Sequence, residues 1–170
     1  MDNAGNIYVT GSTRGATDGQ PTYGDWDAFL SKFSPDGARL WTRVWGSGQH
    51  EHPLAITADC SNRVCIVGYT GGTFDGQPKA GPGTDDSFLT VFSEDGNRLW
   101  SRIWGSNADD LAGGIASDAA GNLYVGGSSR GPIDGQSHQG NFDYYLSKFS
   151  PDGTRLWTRM GGSSAQAFST

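Results

Sequence analysis

Short apolar runs, each bounded by Gly, Pro, Asp or Asn, follow one another along the chain. The runs "NIYVTGST" (6–13) and "DAFLSKFS" (27–34) are rich in β-branched and aromatic residues, which is typical of strands. The turn sequence "SPDG" separates the second run from "ARLWTRVWG" (38–46), and suits a turn because Pro presets φ and Gly accepts a positive φ. No stretch shows the period of an amphipathic helix. The pattern therefore predicts an all-β chain without helices.

A fourth kind of run occurs three times, as "HPLAITAD" (52–59), "LAGGIASD" (111–118) and "AQAFST" (165–170). We name this run strand a, and the three runs described above strands b, c and d. The order a, b, c, d, with tight turns after a and after c, predicts four antiparallel strands that follow one another as a meander.

The four runs belong to an internal repeat that fills the chain. Segments beginning at Asp2, Asp59 and Asp118 resemble one another, and a "DGQ" triplet recurs at 18–20, 75–77 and 134–136. The triplets are spaced by 57 and then 59 residues. A repeat of this length with four strands is typical of a propeller blade. We therefore predict a single domain over 1–170, with repeats at 2–58, 59–117 and 118–170.

The repeat pattern "D-x-x-G-N-[IL]-Y-V-x-G-x-[TS]", followed by "D-G-Q" and "D-x-[FY]-L-x-K-F-S-P-D-G-x-R-L-W", resembles the β-propeller repeats often labelled SBBP. The resemblance covers nearly the whole chain. The middle copy departs most, with "CSNRVC" in its first turn and Val91 at the Lys position. The resemblance implies a propeller fold, an extracellular or cell-surface location on a bacterium, and no defined enzymatic activity.

The number of strands raises the question of closure. The chain begins at a strand b and ends on a strand a, so it holds three blades' worth of strands, circularly permuted. Propellers usually close with about four to eight blades. One alternative is a segment of a longer propeller, and the other is head-to-tail assembly, in which each terminal strand a completes the next chain's first blade. We predict the second, as a homodimer of six blades with two-fold symmetry.

Composition narrows the partners further. The chain has 27 Gly among 170 residues, 12% aromatic residues and a net charge of −6. The absence of a Lys/Arg cluster argues against nucleic acid as a partner. No apolar run approaches the ~20 residues that a membrane span needs, and the start of the chain does not resemble a signal peptide. Cys60 and Cys65 are predicted to be free thiols, with Cys65 in the core, and a disulfide across the turn is the alternative.

The long loops indicate where a ligand would bind. Loops b–c, at 14–26, 71–85 and 130–142, leave the same propeller face as the d–a loops, and long loops on a rigid scaffold commonly carry binding sites. Three of the candidates, Tyr23, Trp26 and Phe142, are interpreted as aromatics that do not repeat between the copies. The ligand-binding candidates on this face are Tyr23, Trp26, His50, His52, Asp109, Asp110, His138 and Phe142.

The repeated aspartates have two interpretations. They supply oxygen ligands of the kind that calcium prefers, one set per blade, although the spacing of a calcium-binding loop is absent. The favoured interpretation is structural: the Asp of "DGQ" bonds to the loop backbone, its Gly makes the turn, and its Gln bonds to the neighbouring loop. No cofactor is therefore predicted, with calcium as the alternative. The residues concerned are Asp18, Asp27, Asp75, Asp86, Asp134 and Asp143.

The remaining motifs are weaker. His50 and His52 share a face in a strand and offer a zinc alternative, but the other copies have no counterpart. The "LWTRVW" strands place Arg43 between Trp41 and Trp45, which indicates either packing between blades or a carbohydrate platform.

No catalytic set of residues emerges from the sequence. We therefore predict a non-catalytic interaction module that binds a protein or glycan. The alternatives are a lectin-like propeller and, less favoured, an enzyme with its site in the central funnel.

Overall fold

The regular elements in this computed structural model, which describes residues 1–81 and 85–164, are all β-strands. The alternating runs and their Gly- or Pro-containing turns account for them, since each strand coincides with a predicted run to within about a residue or two. The predicted strand a at 165–170 lies outside the described residues. The strands are β1 (Ile7–Thr13), β2 (Asp27–Phe33), β3 (Arg39–Trp45), β4 (Glu51–Ala58), β5 (Val64–Thr70), β6 (Asp86–Phe92), β7 (Arg98–Trp104), β8 (Asp110–Ser117), β9 (Leu123–Ser129), β10 (Asp143–Phe149) and β11 (Arg155–Gly161).

The strands form three antiparallel sheets in chain order. Sheet 1 contains β1–β2–β3, sheet 2 contains β4–β5–β6–β7, and sheet 3 contains β8–β9–β10–β11. The all-β prediction, the absence of helices among the described residues and the meander order are thus confirmed. Closure into a propeller stays a prediction. No helix in the described part of the chain has the length and apolar character needed to cross a membrane.

The core lies between successive sheets. Trp45 at the end of β3 meets Phe92 of sheet 2 edge-on, with ring centroids 4.9 Å apart. Trp104 at the end of β7 meets Phe149 of sheet 3 in the same way, also at 4.9 Å. Both tryptophans are buried and pack between successive repeats, as one of the two interpretations predicts. They therefore offer no exposed platform to a sugar.

Arg43 does not stack between two rings. It lies over Trp41 alone, with its guanidinium carbon 5.2 Å from the ring centroid.

Both cysteines are free, as predicted. Cys65 is fully buried in the core between sheets 2 and 3, and burial raises the pKa of its thiol to about 12. Cys60 is exposed and lies with its Sγ 3.6 Å from the Ala119 carbonyl oxygen.

Candidate functional site

The b–c and d–a loops of neighbouring sheets meet at one end of the structure. Trp26, just before β2, pairs with His50, just before β4, as an isolated parallel bridge. The Glu51 amide donates to the Trp26 carbonyl at 2.7 Å. The Asp110 amide donates to the Asp85 carbonyl at 2.8 Å in the equivalent place between sheets 2 and 3. These backbone bonds hold the loop segments in fixed positions relative to the sheets.

Five side chains form a cluster at the boundary between sheets 1 and 2, which we call the junction cluster: Trp26, His50, His52, Tyr69 and Asp85. The His52 ring centroid lies 5.0 Å from that of Tyr69, 5.5 Å from that of His50 and 6.0 Å from that of Trp26. His50 Nε2 lies 2.7 Å from Asp85 Oδ1. All five residues are partly exposed, so solvent reaches the cluster.

The charge state of the cluster follows from its surroundings. Burial lowers the pKa of His52, and the neighbouring His50 lowers it further, so His52 is uncharged at neutral pH. Its Nδ1 lies 3.0 Å from the Ser12 hydroxyl, which fixes the orientation of the ring. Burial and the nearby Asp85 raise the pKa of Tyr69, so its hydroxyl stays protonated. The cluster thus combines a neutral imidazole, a phenol and a carboxylate at hydrogen-bonding distance from a second imidazole.

The other two repeats fill this region differently. In repeat 1 the Arg14 guanidinium carbon lies 4.7 Å from the centroid of the Trp26 ring, and in repeat 3 that of Arg130 lies 4.4 Å from Phe142. Each Arg–aromatic pair sits at the same two positions of the repeat. The prediction that Trp26 and Phe142 do not repeat is therefore wrong. Loops 14–26 and 130–142 have equal length, so aligning them end to end places Trp26 opposite Phe142, and the shared cation–π contact agrees.

Repeat 2 replaces that pair. It has Gly71 in place of the arginine and Asp85 in place of the aromatic. A Cβ on Gly71 would lie 2.6 Å from Cε1 of His50, so the missing side chain is what makes room for the imidazole. The exchange of arginine and aromatic for glycine and aspartate therefore explains why His50 enters the junction cluster.

Asp109 and Asp110 occupy the positions of His50 and Glu51 at the second boundary and point to different partners. Asp109 forms an ion pair with Arg130 at 3.2 Å. Asp110 is fully buried and accepts hydrogen bonds from Ser106, and burial raises its pKa to about 6. Since Asp110 is inaccessible, its predicted role as a ligand contact has no geometric support.

The remaining ligand candidates lie apart from the junction cluster. Tyr23 is exposed and lines a separate cleft with Gln20, Arg43 and Asn97. His138 is partly buried in the b–c loop of repeat 3, and its Nε2 has no hydrogen-bond partner among the described residues. Of the eight predicted ligand residues, the structure therefore brings Trp26, His50 and His52 together.

The "DGQ" aspartates fasten their loops to the sheets. Asp18 and Gly19 both have positive φ, of 54° and 72°, and the Gln20 amide closes the turn onto the Thr17 carbonyl at 3.0 Å. The Asp18 carboxylate then reaches β3, where it pairs with Arg39 at 2.7 Å and accepts a hydrogen bond from Thr42. The same ion pair recurs as Asp75–Arg98 at 2.5 Å and Asp134–Arg155 at 2.6 Å.

The aspartates that begin each strand c are fully buried. Asp27 accepts hydrogen bonds from the amides of Tyr23, at 2.8 Å, and Gly24, at 3.1 Å. Equivalent bonds link the Ala80 amide to Asp86 at 2.6 Å and the Gln139 amide to Asp143 at 2.7 Å. These contacts agree with a structural role for the aspartates, although the "DGQ" aspartates bond to β3, β7 and β11 and not to the loop backbone as predicted.

Within residues 1–81 and 85–164, no three His, Cys, Asp or Glu side chains gather as a metal-binding group. Calcium binding by the repeated aspartates stays a prediction.

Tyr69, Asp85 and the three arginines that follow the c–d turns were not among the candidates from the sequence. Tyr69 stands where the other repeats have Ser12 and Ser128, and Asp85 stands where they have an aromatic. A comparison of the copies position by position identifies both as departures. The arginines gave no such signal, because their partner lies about 20 residues away in the loop.

Similar proteins come from comparison of the sequence and comparison of the structure. No protein-family model matches the chain. The chain is similar to the Regulatory protein FlaEY of Caulobacter vibrioides, with 30% identity over 164 residues. The match covers 88% of this chain, which spans 17% of the length of that relative. Among solved structures, a protein of unknown function from Bacteroides caccae has a TM-score of 0.42 and 12% identity, over 78% of this chain and 41% of that one.

Proposed function

We propose that this chain is a non-catalytic binding module built from propeller-type blades, and that it contacts its ligand through the junction cluster. The observation that carries the proposal is the partly exposed group of Trp26, His52 and Tyr69 rings beside the His50–Asp85 pair. Aromatic faces next to a few fixed hydrogen-bonding groups are the usual composition of a binding site.

The cluster differs from the scaffold that carries it. The repeated polar side chains, such as Asp18 and Asp27, are occupied by bonds that hold loops and strands together. Of the junction cluster, His50, His52, Tyr69 and Asp85 each differ from the residues at the same position of the other repeats. Since the scaffold at the second boundary needs none of them, these residues are available to recognise a ligand.

A regulatory or interaction role, rather than catalysis, is supported by the similarity to a protein named as regulatory. The chain corresponds to only 17% of that relative, so the similarity bears on one segment. We propose no catalytic residue and no cofactor. From the resemblance to SBBP repeats, we also propose closure as a six-bladed ring of two chains and a location on the outside of a bacterial cell.

A carbohydrate is the second candidate ligand. The partly exposed rings of Trp26 and Tyr69 suit contact with a sugar, and Asp85 and the neutral His52 suit hydrogen bonds to hydroxyl groups. A protein or peptide ligand would use the same rings as buried anchors. The two candidates differ in what the cluster binds, not in where it binds.

Glycan and peptide arrays probed with the purified chain test the proposal. The test variants are His52→Leu and Tyr69→Ser, which introduce the residues found at the equivalent positions, Leu111 and Ser128, so the fold accommodates them. Arg130→Ala, at the second boundary, is the control. We expect array binding that falls at least about ten-fold in both test variants, ~1.4 kcal/mol, and persists in the control. No hit on either array, or equal binding by all variants, would overturn the proposal.

A further inference from the structure

The same contact joins each pair of successive sheets. The Arg43 guanidinium of β3 donates to the Gly96 carbonyl at 3.0 Å, across the boundary between sheets 1 and 2. Arg102 of β7 donates to the Gly153 carbonyl at 2.7 Å, across the boundary between sheets 2 and 3. Each accepting glycine closes the turn between strands c and d of the following sheet. An arginine in the last strand of one sheet therefore holds the turn of the next.

A tryptophan completes the contact. A Cβ on Gly96 would lie 3.2 Å from the Trp41 ring, and a Cβ on Gly153 would lie 2.9 Å from Trp100. Both glycines have positive φ, of 79° and 83°. The turn therefore packs directly on the indole because it ends in glycine. We call this contact the latch, with a receiving half (Trp and Arg) and an inserted half (the glycine turn).

Within residues 1–81 and 85–164, two halves of the latch have no counterpart. Trp157 and Arg159 of β11 repeat the receiving half, and Arg159 is exposed, with its guanidinium donating to the adjacent Thr158 carbonyl at 2.8 Å. The turn ending in Gly37 repeats the inserted half. Gly37 has φ of 87°, is exposed, and a Cβ there would meet no atom within 4 Å.

Apolar side chains around the open inserted half are exposed as well. Ile7 and Val9 of β1 are 39% and 44% exposed. The residues at the same repeat positions in sheets 2 and 3 are completely buried, namely Val64, Ile66, Leu123 and Val125. This face of sheet 1 is therefore apolar like the equivalent faces of sheets 2 and 3, which are buried against the preceding sheet.

The opposite face of sheet 3, beside the open receiving half, shows the same difference. Tyr144 and Leu146 of β10 are 49% and 41% exposed. Their counterparts in sheets 1 and 2 are completely buried, namely Ala28, Leu30, Ser87 and Leu89. The two exposed faces thus correspond to the two sides of one boundary that the chain already forms twice.

We propose that the receiving half of one copy of this chain binds the inserted half of a second copy. Arg159 then donates to the partner's Gly37 carbonyl, and the partner's Gly37 turn packs on Trp157. Charge favours the contact, because the turn carries Asp36, whose bond from Ser34 lowers its pKa and keeps it ionised opposite the arginine. The proposal deepens the ring closure proposed above and does not involve the junction cluster.

Analytical ultracentrifugation of the whole chain tests this association. The two test variants are Arg159→Ala and Gly37→Asn. Asparagine tolerates positive φ, so Gly37→Asn leaves the monomer intact while its side chain occupies the place of the partner's indole. Leu99→Thr, at an exposed position on the outer strand of sheet 2, is the control, because both boundaries of that sheet are internal to the chain. Arg102→Ala removes the same side chain from an internal latch.

We expect wild type to form a species of twice the 18.0 kDa chain mass. Each test variant should raise the dimer dissociation constant at least about ten-fold without lowering the unfolding midpoint of the monomer, and Leu99→Thr should change neither. Arg102→Ala should lower the unfolding midpoint instead, because its latch is internal. This contrast separates an association contact from a structural one.

Other results contradict the latch in distinguishable ways. A dimer that both test variants leave intact would overturn the latch and keep the ring proposal. A monomer at every concentration would contradict both the binding of a second copy and the ring of two chains. It would not bear on ligand binding, which the arrays test separately. Larger assemblies that both test variants abolish would support the latch and contradict the closed ring of two chains.

Discussion

His50 Nε2 lies 2.7 Å from Asp85 Oδ1, in space that exists because residue 71 is glycine. The other repeats carry arginine at this position, each stacked on an aromatic residue. The ligand-contacting surface that we propose therefore depends on three positions that differ together from the other repeats, namely His50, Gly71 and Asp85. Four further predictions follow from the contacts around this surface and the scaffold.

Gly71→Arg should expel His50 from the junction cluster. A Cβ at Gly71 already falls within 2.6 Å of the ring, so the longer side chain forces His50 outward and exposes Asp85. Overpacking of this kind costs about 1–3 kcal/mol. Urea unfolding should show that loss of stability, and array binding should fall as well. Gly15→Arg, where a Cβ meets no atom within 4 Å, is the control and should leave both unchanged.

Asp110→Asn should change how stability depends on pH. Burial raises the pKa of Asp110 to about 6 in the folded chain, above its value of 3.8 when unfolded. Between about pH 4 and 6 the folded state therefore holds a proton that the unfolded state releases, and stability falls as pH rises through this window. The contribution is at most about 3 kcal/mol, at ~1.4 kcal/mol for each pKa unit.

Thermal unfolding of wild type and Asp110→Asn at several pH values measures this contribution. The variant should gain stability relative to wild type as pH rises from about 4 to 7, because it carries no charge to bury. A constant difference across that range would contradict the raised pKa. Burial also raises the pKa of Asp86, so Asp110→Asn should keep a residual pH dependence of stability of the same sign as wild type.

Asp27→Ala should loosen the b–c loop of repeat 1. The substitution leaves the amides of Tyr23 and Gly24 without the carboxylate that accepts their hydrogen bonds. Loss of hydrogen bonds to this buried carboxylate should cost about 1–3 kcal/mol, and hydrogen exchange across 14–26 should accelerate. Asp25→Ala is the matched control: its ion pair with Arg14 is exposed and worth no more than about 1 kcal/mol. Equal effects of both substitutions would contradict the framework role of Asp27.

The two thiols should react at very different rates. Cys60 is exposed, whereas Cys65 is completely buried with a pKa of about 12. Alkylation of the folded chain at about pH 8 should therefore modify Cys60 first, since the thiolate is the nucleophile. Mass spectrometry after proteolysis identifies the modified residue, and denaturant should release Cys65. Rapid modification of Cys65 in the folded chain would contradict its place in the core.

The strands and their turns followed from the sequence because both are local. Alternation of side chains fixes which residues face the core, and glycines such as Gly37 and Gly96 mark the turns through their positive φ. The internal repeat also predicted three sheets, since each of the three copies has the same pattern of strands and turns. Free Cys65 in the core was predictable for the same reason, from its position in a strand.

The contacts of the site depended on tertiary structure, because their partners come from different sheets or distant loops. His52 belongs to β4, Tyr69 to β5, and Trp26 reaches them from the loop before β2. Asp18 and Arg39 are distant in sequence, and they form their ion pair because the "DGQ" turn brings Asp18 next to β3. Sequence thus determined the repeated unit, whereas packing of one unit on the next decided which equivalent residues are buried, which stay exposed and which meet at the junction.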